Sequence, residues 1–252
     1  MLGMQLSIGA VNDIADVELD RIGKPAKPIP AGMVSIGVAR SWAVATGMLG
    51  LLLAAPSGLG TAVVWVTALG LGDAYDLWLS RTALSWVPLA LALPLVPIFA
   101  WLGATGAIPS ALLPLIPAAV LAGAALVLGN GLVDVERDDR AGKATLSVRL
   151  GRVRAWAVHA ALFGIAVAVA FVSAPAAAAL VGPGERAGIF EAARAAGLPL
   201  GALVVGAGAA LLLANRPEIR ERGWELESVG TLMLGVGWLA AVAVASSGGV
   251  GS

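Results

Sequence analysis

The sequence predicts an all-α protein, a polytopic bundle of transmembrane helices. Of its 252 residues, 59% are hydrophobic and only 13% are charged, whereas about a quarter of the residues in a soluble domain are charged. The mean hydropathy is +0.90. Apolar residues also form long stretches without any charge, among them 41–72 and 82–133. Because a helix needs about 20 apolar residues to cross a bilayer, these stretches indicate several membrane spans.

One partial and seven complete spanning helices are predicted. The stretches are too long and too uniformly apolar for the strands of a membrane barrel, in which apolar and polar residues alternate. The partial helix comprises residues 1–20, and the complete helices lie at 34–55, 58–79, 83–102, 109–133, 154–174, 197–214 and 228–247. Glycine and proline mark the gaps between them. No composition change suggests a second domain, so residues 1–252 are predicted to form a single transmembrane domain.

The basic residues predict how the bundle is oriented. If successive helices alternate in direction, 14 of the 16 Lys and Arg residues fall on one side, and only Arg186 and Arg194 fall on the other. The positive-inside rule makes the basic side cytoplasmic. Acidic residues divide in the same way, which that rule does not explain, so we expect a site that uses carboxylates on this side. The Ala, Gly, Val and Arg bias suggests a bacterial gene, and hence a bacterial inner membrane.

The composition also excludes several classes of site. The chain has no cysteine, which excludes disulfides and thiolate metal sites. A single histidine cannot form a histidine-rich metal centre. The formal net charge of zero gives no general attraction to nucleic acid, so no nucleic-acid partner is expected.

The first acidic cluster ends the partial helix. Its members are Asn12, Asp13, Asp16 and Asp20. Spacings of three and four residues place these side chains on one face of a helix, where like charges repel. A bound divalent cation would remove the repulsion. Mg²⁺ prefers oxygen ligands, taking one or two carboxylates and completing its shell with water and substrate phosphates.

The second acidic cluster follows the predicted helix 109–133. Asp134 and Asp138 are again four residues apart, and Arg140 and Lys143 follow closely enough to bind phosphate oxygens. Either cluster alone could be an ordinary solvated helix end. Because both end helices on the same predicted side, together they suggest a diphosphate held by bridging metal ions.

Both clusters resemble the signatures of a known family. Residues 12–20 read NDIADVELD, which fills every fixed position of NDxxDxxxD, and the continuation DRIGKPAKPIPAG is similar to DRxxxPxRPIPSG. Residues 134–138 match DxxxD, and the tail DDRAGKATLSVRLG is similar to DxxxGxxTLPVRLG. Lys27 stands where arginine is more usual, and Ser147 replaces the usual proline. On these motifs the chain resembles the UbiA superfamily of intramembrane prenyltransferases.

The resemblance implies nine helices around a central cavity. About seven and a half are expected here, because the first helix and part of the second are missing. It also implies Mg²⁺-dependent ionisation of a prenyl diphosphate. The allylic cation is then captured by an acceptor, often an aromatic ring such as a quinone precursor. The chain would thus be a prenyltransferase, N-terminally truncated, that meets both molecules within the lipid bilayer; its oligomeric state is not predicted.

The resemblance further implies roles for individual residues. The implied metal ligands are Asn12, Asp13, Asp16, Asp20, Asp134 and Asp138, with Asp139 as a secondary candidate. Asp16, Asp134 and Asp138 would be the catalytic residues among them. The implied diphosphate-binding residues are Lys143, Arg140, Lys27, Arg81 and Tyr75. Separately from the resemblance, Asp73 and Asp76 end a predicted spanning helix on the motif side, which leaves three roles open for them: extra metal ligands, a base for the acceptor's proton, or a plain helix end.

Two other functions stay open at this point. Intramembrane carboxylates also mark ion paths, so an ion-coupled transporter is possible, although transporter sites tend to lie near the bilayer midplane. A truncated, inactive relative of the prenyltransferases is the other alternative. Among the remaining features, His159 is predicted to pack in an apolar helix without nearby partners. Residues 220–227 (RERGWELE) are predicted to form a solvated loop.

Overall fold

The computed structural model describes residues 1–181 and 188–246, and these residues form helices and turns without a β-strand. The helices are α1 (Leu2–Ala15), α2 (Val17–Gly23), α3 (Ile36–Ala54), α4 (Leu59–Ala74), α5 (Trp86–Ala92), α6 (Leu95–Thr105), α7 (Leu115–Val133), α8 (Val135–Arg140), α9 (Leu146–Leu150), α10 (Arg152–Val181), α11 (Gly188–Leu211) and α12 (Pro217–Ser246). Turns of 3₁₀-helix cover Ala55–Ser57 and Ser110–Leu112, and a π-helical turn, Tyr75–Leu79, extends α4. The all-α prediction is therefore confirmed.

Among the residues that the structure describes, five helical stretches are long and apolar enough to cross a membrane. They are Ile36–Ser57, Leu59–Leu79, Trp86–Thr105, Ser110–Val133 and Arg152–Pro175. These stretches coincide with the first five complete spans predicted from the sequence. The predictions for 197–214 and 228–247 fall on α11 and α12, which are helical but are not among the five. Residue 247 lies outside the described residues.

Two predictions about individual segments need correction. The helix predicted at 83–102 is interrupted by a turn at Leu93 and Pro94, which separates α5 from α6. Proline has no backbone N–H and its ring clashes with the preceding turn, so the helix cannot run through it unchanged. The solvated loop predicted at 220–227 is wrong, because these residues belong to α12 and both Arg220 and Glu227 are fully buried.

The described chain separates into two compact units. Unit one comprises Met1–Ser80 and Leu95–Ile108, and unit two comprises Arg81–Pro94 and Pro109–Ser252. The first acidic motif therefore belongs to unit one and the second to unit two. That residues 1–252 act as a single domain stays a prediction.

In unit one, α1 packs closely against α3. A Cβ atom on Gly3 would lie 2.7 Å from the carbonyl oxygen of Thr46, so only glycine allows this approach. One helical turn later, the Ser7 hydroxyl donates to the carbonyl of Ala43 at 2.9 Å. This packing fixes the register of the helix that carries the first motif.

In unit two, α7 packs against α5, α10 and α12, while α11 and α12 form a close pair. A Cβ on Gly201 would lie 2.8 Å from the backbone nitrogen of Leu234, and one on Gly208 would lie 2.5 Å from the carbonyl oxygen of Gly223. Small residues let membrane helices approach in this way. The close pair holds the first turns of α12 in a fixed register.

Candidate functional site

The two acidic motifs share one local architecture. Each consists of an asparagine followed at four-residue intervals by two aspartates: Asn12, Asp16 and Asp20 in the first motif, and Asn130, Asp134 and Asp138 in the second. In each, the long helix ends immediately before the middle aspartate, and a short helix follows it. The middle aspartates have φ/ψ of −96°/6° and −107°/10°, outside the helical region. The sequence shows Asn130 at the head of the second cluster, but no role was predicted for it.

The last aspartate of each motif is buried and paired with a lysine from the segment that follows. Asp20 and Asp138 are each only 7% exposed. Lys27 Nζ lies 2.6 Å from Asp20 Oδ2 and 2.8 Å from Asp13 Oδ1. Lys143 Nζ lies 2.9 Å from Asp138 Oδ1. The structure therefore brings both predicted phosphate-binding lysines to their motifs.

The charge of Lys27 is stabilised by its two partners. Burial by itself lowers the pKa of Lys27, but hydrogen bonds to Asp13 and Asp20 and their negative charges raise it. The net effect is a pKa above the ordinary lysine value of 10.5. Lys27 is therefore cationic at neutral pH, as a phosphate-binding residue must be.

The end of α4 adds carboxylates to the first motif. Asn12 Nδ2 donates to Asp76 Oδ1 at 2.9 Å. Asp76 is buried, and it interacts electrostatically with the carboxylates of Asp16 and Asp73. Asp76 lies in the π-helical turn, where the N–H of Ser80 bonds to the carbonyl of Tyr75. Such turns are frequent at functional sites.

The donor set of unit one fits a hard cation such as Mg²⁺. Within the described residues, no three Asp, Glu, His or Cys side chains form a group that could hold a metal ion by themselves. Mg²⁺ does not need such a group, because it takes one or two carboxylates and fills its shell with water and phosphate oxygens. Asp76 Oδ2 and Asp73 Oδ1 are buried and have no hydrogen-bond partner among the described residues. Buried, unpaired carboxylate oxygens are costly, and a cation would satisfy them.

The other residues predicted from the sequence are more scattered. The backbone carbonyl of Arg81 accepts from the N–H of Ala144 at 2.9 Å, which places residue 81 beside the segment that carries Lys143. Arg140 is exposed and its Nε donates to the carbonyl of Glu136 at 3.0 Å. Tyr75 is half-buried in unit one. Asp134 also lies within hydrogen-bonding distance of a basic side chain, that of Arg137.

A buried polar contact in unit two was missed by the sequence analysis. His159 is fully buried as predicted, but it has partners: its Nε2 lies 2.7 Å from Glu227 Oε1, and its Nδ1 lies 2.9 Å from the carbonyl oxygen of Ala125. These bonds join α10, α12 and α7. Glu227 is 68 positions away from His159, so no local pattern could have revealed the pair.

The fold and the motifs define an integral membrane protein in which each acidic motif follows an apolar helix. Its family follows from comparison with known sequences. The chain belongs to the UbiA prenyltransferase family, whose model matches residues 1–221. The family membership that the two motifs predicted is thus confirmed.

Curated relatives of the chain are archaeal proteins. The digeranylgeranylglyceryl phosphate synthase of Sulfolobus acidocaldarius is 28% identical over 163 residues, which cover 62% of this chain and 57% of the relative. The enzyme of the same name from Hyperthermus butylicus is 34% identical over 169 residues, covering 62% and 55%. The chain therefore matches little more than half the length of these relatives.

Solved structures share the fold. A UbiA homologue from Aeropyrum pernix superimposes with a TM-score of 0.73 at 20% identity, covering 94% of this chain and 85% of the other. A UbiA homologue from Archaeoglobus fulgidus, bound to GPP and Mg²⁺, gives a TM-score of 0.64 at 20% identity, covering 96% and 87%. At this level of identity, the likeness shows a common fold.

Proposed function

We propose that the chain transfers a prenyl group from a prenyl diphosphate to an acceptor within the membrane, and that it uses Mg²⁺. Family membership supports this function, as does the homologue that binds GPP and Mg²⁺. The observation that carries the proposal is the repeated motif. Both units contain an Asn–Asp–Asp series with a helix break at the middle aspartate and a lysine on the last one. This combination supplies oxygen ligands for a cation and N–H donors for phosphate.

The motif residues divide into two roles. Asp16 and Asp134, at the helix breaks, would be the principal Mg²⁺ ligands. Further oxygen ligands would come from the remaining motif residues, Asn12, Asp13, Asp20 and Asp138. Bound Mg²⁺ would stabilise the negative charge that develops on the leaving diphosphate. Lys27 and Lys143 would donate hydrogen bonds to its oxygens, with Arg140, Arg81 and Tyr75 as additional donors.

The proposed reaction breaks one bond and forms another. The C–O bond between the allylic carbon and the diphosphate breaks, and the electron pair leaves with the diphosphate. The allylic carbon then bonds to a nucleophilic atom of the acceptor, which loses a proton. Asp73 and Asp76, whose buried oxygens have no partner among the described residues, are the proposed acceptors of that proton.

The acceptor class we propose first is a prenylated glyceryl phosphate. The support is the name of the curated relatives, which describes a glyceryl phosphate that carries two geranylgeranyl groups. With this acceptor the new bond forms to a hydroxyl oxygen. An aromatic acceptor such as a quinone precursor, which the family resemblance implied, would instead form a bond to a ring carbon.

Product analysis distinguishes these acceptors. Membranes that contain the protein are incubated with Mg²⁺, one labelled prenyl diphosphate, and either geranylgeranylglyceryl phosphate or 4-hydroxybenzoate. We expect label to enter a glyceryl phosphate product. Label in the aromatic product would retain prenyl transfer and overturn the proposed acceptor. No transfer to either acceptor, together with no release of diphosphate, would favour an inactive relative.

We also infer that the motifs face the cytoplasm and that the protein lies in the plasma membrane. The support is the distribution of Lys and Arg, of which 14 in 16 fall on the motif side of the predicted spans. The curated relatives are archaeal, so the bacterial inner membrane stays a prediction from composition alone. Labelling of single cysteines, which the natural sequence lacks, placed near Lys24 in intact cells would test the orientation. Labelling by a reagent that cannot cross the membrane would contradict it.

Ion-coupled transport is the second candidate, and one observation favours it. His159 and Glu227 form a buried, ionisable pair between helices α10 and α12, and buried ionisable residues in membrane proteins mark ion paths. Uptake of labelled cation into proteoliposomes, lost in Glu227→Gln and unaffected by Asp16→Asn, would support this function over prenyl transfer.

A further inference from the structure

The first turn of α12 places a buried cation against the end of α7. Arg220 has no exposed surface. Its Nη2 lies 3.0 Å from the carbonyl oxygen of Val133, and the same nitrogen donates to the Glu136 carboxylate. Val133 is the last residue of α7, and Glu136 lies in α8. Arg220 therefore bonds to both sides of Asp134, the residue at which the helix breaks.

The other arm of the same guanidinium reaches the turn between α11 and α12. Its Nη1 lies 3.3 Å from the carbonyl oxygen of Ala214 and 3.4 Å from that of Asn215. Arg152, at the start of α10, also bonds to this turn, with Nη2 2.6 Å from the carbonyl oxygen of Leu213. Arg220 thus ties the break at Asp134 to a turn that a second helix already holds.

Arginine suits this position for physical reasons. The last carbonyls of a helix have no partner within the helix, and a cation at that end is favourable. A helix that stops at Val133 and restarts at Val135 leaves such carbonyls beside a carboxylate motif. The planar guanidinium donates in several directions at once, which the single ammonium of lysine does not reproduce.

The register of Arg220 is fixed by two further contacts along α12. Trp224 Nε1 donates to the carbonyl oxygen of Leu126 at 3.0 Å, and Glu227 bonds to His159 at 2.7 Å. Residues 220, 224 and 227 are spaced by four and three, so they share one face of the helix. That face lies against α7 from Leu126 to Val133, and sliding of α12 would break all of these bonds together.

From these contacts we infer that Arg220 is a positioning residue for the second acidic motif. It holds the break between α7 and α8 so that the Asp134 carboxylate keeps the orientation in which it binds the metal, and it does not itself touch substrate. This inference rests on the proposed function, since it assigns Arg220 a role toward the same metal and diphosphate. Mutation of a residue that orients a metal ligand through hydrogen bonds typically weakens metal affinity by about 10–100-fold.

Metal binding by purified variants tests this role without relying on turnover. The probe is Mn²⁺ with inorganic diphosphate, followed by electron paramagnetic resonance, with each value expressed per folded, monodisperse protein. We expect Arg220→Lys to raise the Kd for Mn²⁺ by about tenfold or more. Glu136→Gln should raise it less, in the same direction. Arg222→Gln is the matched control: this neighbour is exposed and pairs with Glu225 on its own helix, so we expect no change.

The outcomes separate this inference from the proposed function. Tight Mn²⁺ binding by the natural protein that is unchanged in Arg220→Lys would overturn the positioning role and leave the proposed function intact. A lower melting temperature with unchanged affinity would also overturn it, because that is the signature of a purely structural residue. If Arg220→Lys does not accumulate, Glu136→Gln decides, since its half-exposed side chain tolerates substitution. No Mn²⁺ binding by the natural protein would overturn both proposals.

Discussion

Asn12 in the first acidic motif is hydrogen-bonded to Asp76 at the end of α4, with Nδ2 2.9 Å from Oδ1. An amide that donates from its nitrogen is held in one orientation, and its carbonyl oxygen remains an acceptor that would be able to bind a cation. Asp76 thereby fixes the way in which Asn12 faces the motif. The geometry of the NDxxDxxxD motif thus depends on a carboxylate 64 positions further along the chain.

Removal of Asp76 should impair the site through Asn12. We expect Asp76→Ala to raise the Mg²⁺ concentration for half-maximal diphosphate release by about 10–100-fold, because the ligand orientation is lost. Asp76→Asn keeps an oxygen that accepts the bond from Asn12, so its Mg²⁺ requirement should rise less than that of Asp76→Ala, although neither variant can take up the proton that the acceptor loses. Titration of activity with Mg²⁺ in membranes measures both variants.

The control for Asp76 is Glu18→Gln, which removes an exposed carboxylate from the same unit. The Glu18 side chain is 77% exposed and pairs only locally, with Arg21 three positions away. The Mg²⁺ requirement of this variant should equal that of the natural protein. Equal Mg²⁺ requirements for Asp76→Ala and Glu18→Gln would show that Asp76 does not serve the site.

Lys27 should matter for diphosphate binding, whereas Lys24 should not. Lys27 joins Asp13 and Asp20, and a hydrogen bond to a charged group contributes about 1.5–3 kcal/mol. We expect Lys27→Met to weaken inhibition by inorganic diphosphate by about tenfold or more. Lys24→Met, at an exposed position in the same loop, is the matched control. If both variants bind diphosphate as tightly as the natural protein, Lys27 is not a phosphate-binding residue.

The same lysine predicts a pH dependence of stability. The pKa of Lys27 is raised above 10.5 in the folded protein, so its stabilising effect is complete below 10.5 and is lost as the pH rises through the folded value. The melting temperatures of the natural protein and of Lys27→Met should therefore differ by a constant amount from about pH 8 to about pH 10. Above pH 10.5 the difference should shrink. A difference that disappears below about pH 9 would contradict the assigned shift.

Two glycines of unit two should respond oppositely to alanine. A Cβ on Gly129 would lie 2.9 Å from Glu227 Oε2 and 3.1 Å from His159 Cε1, so Gly129→Ala crowds the buried pair. Overpacking of this kind costs about 1–3 kcal/mol. Gly206 has open space where its Cβ would be, and Gly206→Ala should be neutral or stabilising by up to about 1 kcal/mol. Thermal unfolding in detergent measures both variants. Equal melting temperatures for Gly129→Ala and Gly206→Ala would contradict the close packing of α7 against His159 and Glu227.

The spanning helices could be predicted from the sequence because bilayer thickness dictates long apolar stretches, and hydropathy shows these directly. The segment 220–227 could not. Five of its eight residues are charged, which is typical of a solvated loop. Arg220 and Glu227 can be buried because each has a polar partner, Glu136 and His159 respectively. These partners lie 84 and 68 positions away along the chain. A pattern read along the chain does not show such pairs.

The candidate site was also predictable only in part: the spacing of the motif residues could be predicted, but the contribution of Asp76 could not. The spacing of Asn12, Asp16 and Asp20 places them on one helix face. The backbone keeps the four-residue hydrogen bonds across the break after Ala15, from the N–H of Asp16 to the carbonyl of Asn12 at 3.0 Å and from the N–H of Asp20 to the carbonyl of Asp16 at 2.8 Å. The contribution of Asp76 was left open, because a carboxylate at a helix end has the same sequence pattern whether it is solvated or buried. Only its burial and its bond to Asn12 decide between the two.

The central claim, metal-dependent diphosphate chemistry at the two motifs, is tested most directly by release of diphosphate from a prenyl diphosphate in membranes, with and without Mg²⁺. The natural protein is compared with Asp16→Asn, Asp134→Asn and the control Glu18→Gln, at equal amounts of inserted protein. We expect release that requires Mg²⁺, is unaffected in Glu18→Gln, and is lost in both aspartate variants. Release that persists at the natural rate in Asp16→Asn or Asp134→Asn, or that does not depend on Mg²⁺, would contradict the claim.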